Sequence, residues 1–508
     1  MARTPLAAFF NRPFLIARSF MRKNPYQVVI VGGGISGLAT AYALTEEGAK
    51  TQTPVQCTVI EREPRWGGKI LTHVTNNYLI EGGPDSFLTS KPWALELCRT
   101  LGLQDQLIST NPQHNQTFSF CRGALRELPQ GLLAFRPRRV DTLVSSGLLS
   151  WGGLLRMAAE RFWPKQNPWA ADESLGDFFR RRFGTEAFEY LIEPLVAGIY
   201  AGDADELSIE STFPRFRELE REHGSVIKGM RKALASPPST PRPSGEATSM
   251  FMSLRGGLSE LIRSLVEALR QRGVRLMAGG ECREIQSPTL ESGVFHVMLE
   301  DGNRLPADAV VLATPAYQTA RLLRAFRPEI AGLLEGIPYA STATISMGYP
   351  TESIASQIRG FGFVVPRKEQ RPMLAATWTS LKWPDRSQAG ETLIRCYIGG
   401  RGRETIVDQD DTSLIECVRR ELLSMVGITA APTYTEVYRW RQGMPQYVLG
   451  HRDRLAKVQK QLAHSPGLYV TGAGLYGIGI PDCIREGTKV GKQLLQDYAD
   501  NHGKNLGA

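Results

Sequence analysis

Between Val28 and Lys69 the chain carries, in order, a short apolar run, a glycine-rich turn, a helix-patterned stretch, a second apolar run ending in an acid, and a diglycine. The turn reads Gly32-Gly33-Gly34-Ile35-Ser36-Gly37, between Val28-Val29-Ile30-Val31 and Leu38-Ala39-Thr40-Ala41-Tyr42-Ala43-Leu44. Strand, tight turn and helix start are what a pyrophosphate requires. Gly32 permits the turn, Gly34 lets backbone N–H groups approach the anion, and Gly37 lets helix and strand pack closely. The next apolar run, Val55–Ile60, ends at Glu61, spaced to grip a ribose hydroxyl. A glycine turn alone is weak evidence. The strand before it, the helix after it and the acid beyond it make this one a nucleotide site.

The continuation, Glu61-Arg62-Glu63-Pro64-Arg65-Trp66-Gly67-Gly68-Lys69, separates the cofactors. A nicotinamide dehydrogenase has no need of a second glycine pair just after its ribose acid. A flavoprotein holding FAD in an extended pose does, because the chain must pass close to the cofactor again. This run resembles the flavin amine oxidase and porphyrinogen oxidase superfamily.

The elements that must position this site belong to a chain of 508 residues, 42% hydrophobic and 22% charged, which is globular composition with room for two or three domains. The net charge of +9 suits an acidic substrate or an anionic surface. No nucleic-acid module is evident. Seven dispersed cysteines without a CxxC pair argue for a reducing compartment and against a disulfide framework or a zinc site, and no metal is expected. No stretch reaches the roughly 18 apolar residues of a spanning helix. The nearest approach, Leu143–Leu155, reads as a buried helix in preference to one lying on a membrane surface. The expected location is cytoplasmic, with peripheral membrane contact and a homodimer left open.

The fold class expected is α/β: a discontinuous Rossmann-like FAD-binding domain, an α+β substrate-binding domain and a helical insert, as in flavin amine oxidases. Residues 1–26 form a basic leader, with Arg3, Arg12, Arg18, Arg22 and Lys23 and no acid. The cofactor domain takes residues 27–91, 251–315 and 439–500. A mostly helical insert takes 92–235, including a helical stretch Ser174–Tyr190. A proline-rich loop fills 236–250, the substrate-binding domain 316–438 and a tail 501–508.

Further along, the resemblance narrows. Glu81-Gly82-Gly83-Pro84-Asp85-Ser86-Phe87, Ile192-Glu193-Pro194-Leu195-Val196-Ala197-Gly198-Ile199-Tyr200-Ala201-Gly202-Asp203, Thr377-Trp378-Thr379-Ser380-Leu381-Lys382-Trp383-Pro384, Arg439-Trp440-Arg441-Gln442-Gly443-Met444-Pro445 and Gly477-Ile478-Gly479-Ile480-Pro481-Asp482-Cys483-Ile484 follow one another. Together they resemble the protoporphyrinogen/coproporphyrinogen oxidase family, over roughly residues 27–498, and its bacterial coproporphyrinogen III branch most. The resemblance implies non-covalent FAD held at Gly32, Gly33, Gly34, Ile35, Ser36 and Gly37, at Glu61, Arg62, Gly68 and Lys69, and at Gly83, Pro84, Asp85 and Ser86. It continues at Cys282 (through backbone), Trp440, Ile478, Gly479 and Ile480. It implies a porphyrinogen slot at Gly198, Ile199, Val364 and Trp383, with Lys91 for a propionate. At Thr117 the chain lacks the arginine that organelle-type members set against a substrate carboxylate, which leaves propionate anchoring open.

The reaction implied is hydride transfer from a bridging carbon to the flavin, with molecular oxygen reduced to hydrogen peroxide, in haem biosynthesis. The cofactor is the electron sink and the protein supplies placement. No protein acid or base is assigned. Coproporphyrinogen III is the expected substrate and protoporphyrinogen IX the alternative. An amine or polyene oxidase of the same superfamily, or a flavin carrier without turnover, are the competing readings.

Overall fold

The computed structural model describes residues 25–129, 141–165, 172–235, 249–289 and 292–504. The leader through residue 24, the segment 236–248 and the last four residues lie outside the described residues.

A five-stranded parallel sheet forms the centre of the cofactor half. Its order is Arg275–Ala278, Val55–Glu61, Tyr26–Val31, Ala309–Leu312, Leu468–Val470. Strands drawn from four distant parts of the chain meet here, so the domain is discontinuous in sequence and continuous in space. The middle strands are buried on both faces, which is why they read as unbroken Val/Ile runs and do not alternate. Helix Ile35–Lys50 leaves the first strand through the glycine turn. The long helix Ile480–Lys504 lies along it, and the two backbones approach closely at glycines. A Cβ on Gly487 would stand 2.4 Å from the Ser36 carbonyl oxygen, and one on Gly491 2.6 Å from that of Thr40.

A second, seven-stranded sheet runs Tyr434–Pro445, Tyr339–Pro350, Glu391–Gly399, Met373–Thr377, Gly362–Val364, Phe118–Cys121, Ala124–Glu127. Two differences from the sequence reading follow. The hairpin Phe118–Glu127, within the stretch read as mostly helical, completes this sheet, and a boundary at 438/439 falls inside one twelve-residue strand. Twelve-residue strands cross a sheet and project beyond it, so one end can serve each domain.

The helical insert is built on Leu175–Phe183, capped by the Ser174 hydroxyl, which accepts from the Asp177 N–H at 2.9 Å. The stretch Ser174–Tyr190 is not one helix: Gly184, at φ 91°, ends it, and a π-helical turn Phe188–Ile192 leads into Glu193–Tyr200. Phe178, Phe179, Phe183, Phe188 and Phe216 fill its core. Arg182, fully buried, is bound by the carboxylates of Glu160 and Glu220.

The expected buried helix over Leu143–Leu155 is a correction. Gly147, at φ 63°, breaks it. Leu143, Leu148 and Leu149 turn inward, and a new helix, Trp151–Ala158, starts at the Ser150 cap with Trp151 and Leu155 75% and 71% exposed.

Gly487→Val should lower unfolding stability by about 1–3 kcal/mol through overpacking. Urea unfolding followed by far-UV circular dichroism checks this; an unchanged midpoint would mean the two helices can part without cost.

Candidate functional site

The glycine turn sits at the carboxyl end of the parallel sheet, where open α/β sheets bind ligands. Gly32, at φ 114°, lies so close to the Ala313 carbonyl that a Cβ would meet it at 2.8 Å. A Cβ on Gly37 would stand 1.9 Å from the Gly32 carbonyl oxygen. At Gly34 the space is open, with no atom within 4 Å of a Cβ. Helix Ile35–Lys50 has no side-chain cap at that end, so its first N–H groups face the same space. Ile35 and Ser36 are buried in its first turn.

The diglycine closes over this turn. Gly67 N–H donates to the Gly33 carbonyl at 2.9 Å, and a Cβ on Gly68 would come within 3.3 Å of the Gly34 Cα. Glu61 is fixed by two backbone donors, the N–H groups of Gly33 at 2.7 Å and Glu63 at 2.9 Å. Lys69 is half-buried with no described carboxylate partner, and desolvation pushes its ammonium down to about 8. Arg62 points elsewhere: its guanidinium is exposed and pairs with Glu63. The sequence reading passed over Arg65, whose buried Nη1 has no partner. Its position two residues before the diglycine was the available signal.

A third close approach comes from Gly82–Ser86. A Cβ on Gly83 would stand 1.7 Å from the Lys69 carbonyl oxygen. Two residues of the second sheet hold this loop: Arg395 donates to the carbonyls of Gly82 and Gly83, at 3.2 and 2.6 Å, and Trp440 Nε1 donates to Gly82 at 2.8 Å. Beyond Pro84, Asp85 accepts from Lys382 Nζ at 2.8 Å, Trp383 Nε1 at 3.2 Å and the Ser86 hydroxyl at 2.7 Å. Burial alone would raise the Asp85 carboxyl; Lys382 and Arg395 more than offset it and hold it well below the usual range. Cys282 is buried in the strand Cys282–Gln286, two residues after Gly280, whose N–H donates to the Glu61 carbonyl at 3.0 Å.

The C-terminal glycine loop is pinned by Tyr447, whose hydroxyl accepts from Gly477 N–H at 2.8 Å and donates to the Ala473 carbonyl at 2.6 Å. Gly479 and Ile480 lead from that loop into the last helix. Asp482, in the first turn of that helix, is buried and paired with Lys91 at 2.5 Å. Lys91 is therefore engaged within the protein.

Ile478 and Val364, half-buried, both rest on the core of the helical insert. On the neighbouring helix Gly198 has no atom within 4 Å of a Cβ, and Ile199 is 40% exposed. Trp383 is fully buried against Asp85, whose carboxylate accepts from its Nε1.

An uncapped helix end, an open space above Gly34, an orphaned Arg65 nitrogen and a half-buried Lys69 without a described carboxylate partner together fit a diphosphate approached by backbone. Comparison with known proteins agrees in class: the chain belongs to the family described as flavin containing amine oxidoreductase, whose profile matches residues 35–495. The cofactor is FAD. More narrowly, the chain is similar to the coproporphyrinogen III oxidase of Bacillus subtilis (strain 168), 37% identical over 92% of this chain and 97% of that one. It is also similar to protoporphyrinogen oxidase 1, chloroplastic, of Arabidopsis thaliana, 32% identical over 90% and 85%. A solved structure from Exiguobacterium sp. 255-15, 31% identical, superposes with a TM-score of 0.80 over 93% of this chain and 99% of that one. Cyclohexylamine oxidase from Brevibacterium oxydans IH-35A shares the fold, with a TM-score of 0.64 at 16% identity over 94% and 100%.

Arg65→Met should leave the fold intact and weaken FAD binding by about 1.5–3 kcal/mol, the worth of a charge-assisted hydrogen bond. Titration of apoprotein with FAD, followed by flavin fluorescence, measures it; unchanged affinity would place the guanidinium outside the cofactor site.

Proposed function

We propose that this protein is an oxygen-using porphyrinogen oxidase of haem biosynthesis, with coproporphyrinogen III as its substrate and FAD bound without a covalent link. The observation that carries the reading is the unobstructed backbone at Gly198 beside the exposed Ile199, with Val364 and Ile478 resting on the same insert. A flat, wide macrocycle needs an apolar face without a protruding side chain, and glycine there lets it approach backbone. The coproporphyrinogen III oxidase of B. subtilis, similar over nearly the whole chain, supports this substrate over protoporphyrinogen IX.

FAD supplies a two-electron acceptor when bound. The chain's own work is placement. Gly82–Ser86 is held by Arg395, Trp440 and Lys382, and the 473–477 loop by Tyr447, so two backbone segments are rigid on the cofactor side. Held on these segments, the cofactor would serve three successive two-electron oxidations of the macrocycle, six electrons and six protons in all, with three molecules of oxygen as terminal acceptor giving three of hydrogen peroxide. No side chain of the site needs to act as acid or base.

The insert supports a further element of this reading, peripheral contact with an anionic membrane surface by a cytoplasmic protein. Trp151, Leu155, Phe162 and Trp163 are exposed together on 151–163, accompanied by Arg156, Arg161 and Lys165. The single acid of that segment, Glu160, is buried on Arg182. Aromatic rings with interspersed cations suit the boundary between headgroups and acyl chains. No described helix is long and apolar enough to cross a membrane.

Anaerobic addition of coproporphyrinogen III should bleach the flavin, faster than protoporphyrinogen IX does. Gly198→Phe should keep FAD and lose turnover about a hundredfold or more, because misplacement of a reacting group by an ångström costs that much. Bleaching by neither porphyrinogen removes the function, and loss of FAD in the variant would make Gly198 a folding residue. Separately, the protein should sediment with vesicles containing phosphatidylglycerol, and Trp151→Ser/Leu155→Ser should abolish this, at about 1.5–3 kcal/mol per apolar side chain. Equal sedimentation of native and variant protein would refute the contact.

A further inference from the structure

Behind the Gly82–Ser86 loop, between the strand Leu79–Glu81 and the second sheet, lies a small cavity bordered by Glu81, Asp85, Ser346, Thr379, Arg386 and Arg395. Four polar atoms of those side chains are buried without any hydrogen-bond partner: Ser346 Oγ, Thr379 Oγ1, Arg386 Nε and Arg395 Nε. All four residues are more than nine-tenths buried. Each of the four atoms carries a hydrogen to donate. Leaving such groups unpaired costs about 1–3 kcal/mol apiece, more for charged ones, so four on one cavity call for a shared acceptor.

The charges narrow what that acceptor is. Lys382 is matched by Asp85. Arg386 and Arg395 make no direct ion pair among the described residues, although both lie near the carboxylates of Glu81 and Asp85. Arg386 donates to the carbonyls of Arg255 and Leu254 and to the Ser253 hydroxyl, and Arg395 to the carbonyls of Gly82 and Gly83. Every one of those partners is neutral. The remaining acid on the cavity, Glu81, already accepts from the Leu258 N–H and the Thr72 hydroxyl, both at 2.8 Å, and burial raises it to about 7. Three cations, Lys382, Arg386 and Arg395, therefore share the two carboxylates of the cavity, Asp85 and Glu81, and burial leaves Glu81 partly neutralised. Burial lowers the Arg386 guanidinium for the same reason. Water could accept from these donors but would leave the excess positive charge in place, and an uncompensated buried charge is strongly unfavourable.

We propose that this cavity binds a small monovalent inorganic anion, of the size and chemistry of chloride or bromide, on the donors of Arg386, Arg395, Ser346 and Thr379. The anion is a structural ligand. Its consequence for the cofactor runs through Arg395, the side chain that holds the Gly82 and Gly83 carbonyls. With its Nε engaged, Arg395 is fixed at both ends, and the loop it holds is fixed with it. The proposal does not depend on the substrate, so its failure would leave the porphyrinogen reading untouched.

The test uses the FAD-loaded protein crystallised in bromide, with diffraction data collected at the bromine absorption edge. An anomalous peak in the cavity, beside the two Nε atoms, is the expected result. Ordinary water density without anomalous signal overturns the proposal. In solution, the temperature of thermal flavin release should rise by several degrees as chloride or bromide replaces gluconate at constant ionic strength. Ser346→Ala/Thr379→Val, which removes two donors and no charge, should lose most of that rise while still binding FAD. An anomalous peak with no halide effect on flavin release would be an adventitious ion only, and also overturns it.

Discussion

Two glycine turns, Gly32–Gly37 and Gly67–Gly68, press against each other on one side and leave open space on the other, and the cofactor half of the molecule is arranged around that asymmetry. A diphosphate carries charge that must be met by donors, and backbone N–H groups meet it only where no Cβ intervenes. The same requirement sets the helix geometry. Helix Ile35–Lys50 can point an uncapped end at the open space because Gly487 and Gly491 let Ile480–Lys504 lie close against its side. Two helices thus begin at the carboxyl end of one sheet. Around them, Arg65 and Lys69 are half-buried cations without described carboxylate partners, an arrangement that is costly until an anion arrives.

Polar contacts bind the second sheet into this arrangement. Arg395 and Trp440, on the two strands that flank Tyr339–Pro350, converge on the Gly82 carbonyl, and Lys382 and Trp383 converge on Asp85. A loop of the cofactor domain is therefore held by side chains of the other domain. Relative motion of the two halves would break charge-assisted bonds and leave Asp85 buried and unpaired, so the placement of anything lying on Gly83–Ser86 is shared between both domains.

Much of this was legible in the sequence, for reasons that differ by element. Gly32, Gly34 and Gly37 were readable because their roles are backbone roles, fixed by spacing along one strand–turn–helix unit. Glu61 was readable for the same reason, as the end of the next strand. Arg62 and Arg65 were not separable: both lie in one irregular turn, where side-chain direction follows no period, and only the folded chain sends the first to solvent and buries a nitrogen of the second. Lys91 matched a position on a loop, but its partner, Asp482, lies 391 residues away and no local pattern joins them. The helix expected through Leu143–Leu155 failed because Gly147, at positive φ, ends one element and resets the phase of the next.

The exposed face at Gly198 and Ile199 owes its orientation to an irregularity that composition does not announce. An α-helix advances about 100° per residue, so the single extra residue of the π-helical turn Phe188–Ile192 rotates everything after it by about that angle. After this turn Glu193 and Ala197 face inward, and Gly198 and Ile199 face out. The helix then stops at Ala201, held at φ 47°, where an alanine is disfavoured by about 1–2 kcal/mol. Two backbone bonds keep it there: its N–H donates to the Ala197 carbonyl at 2.8 Å, and its carbonyl accepts from Arg401 N–H at 2.7 Å. Without the π-turn Gly198 and Ile199 would be turned away from that face by about 100°. A local departure from helical regularity, followed by a strained alanine, thus sets which residues this helix presents.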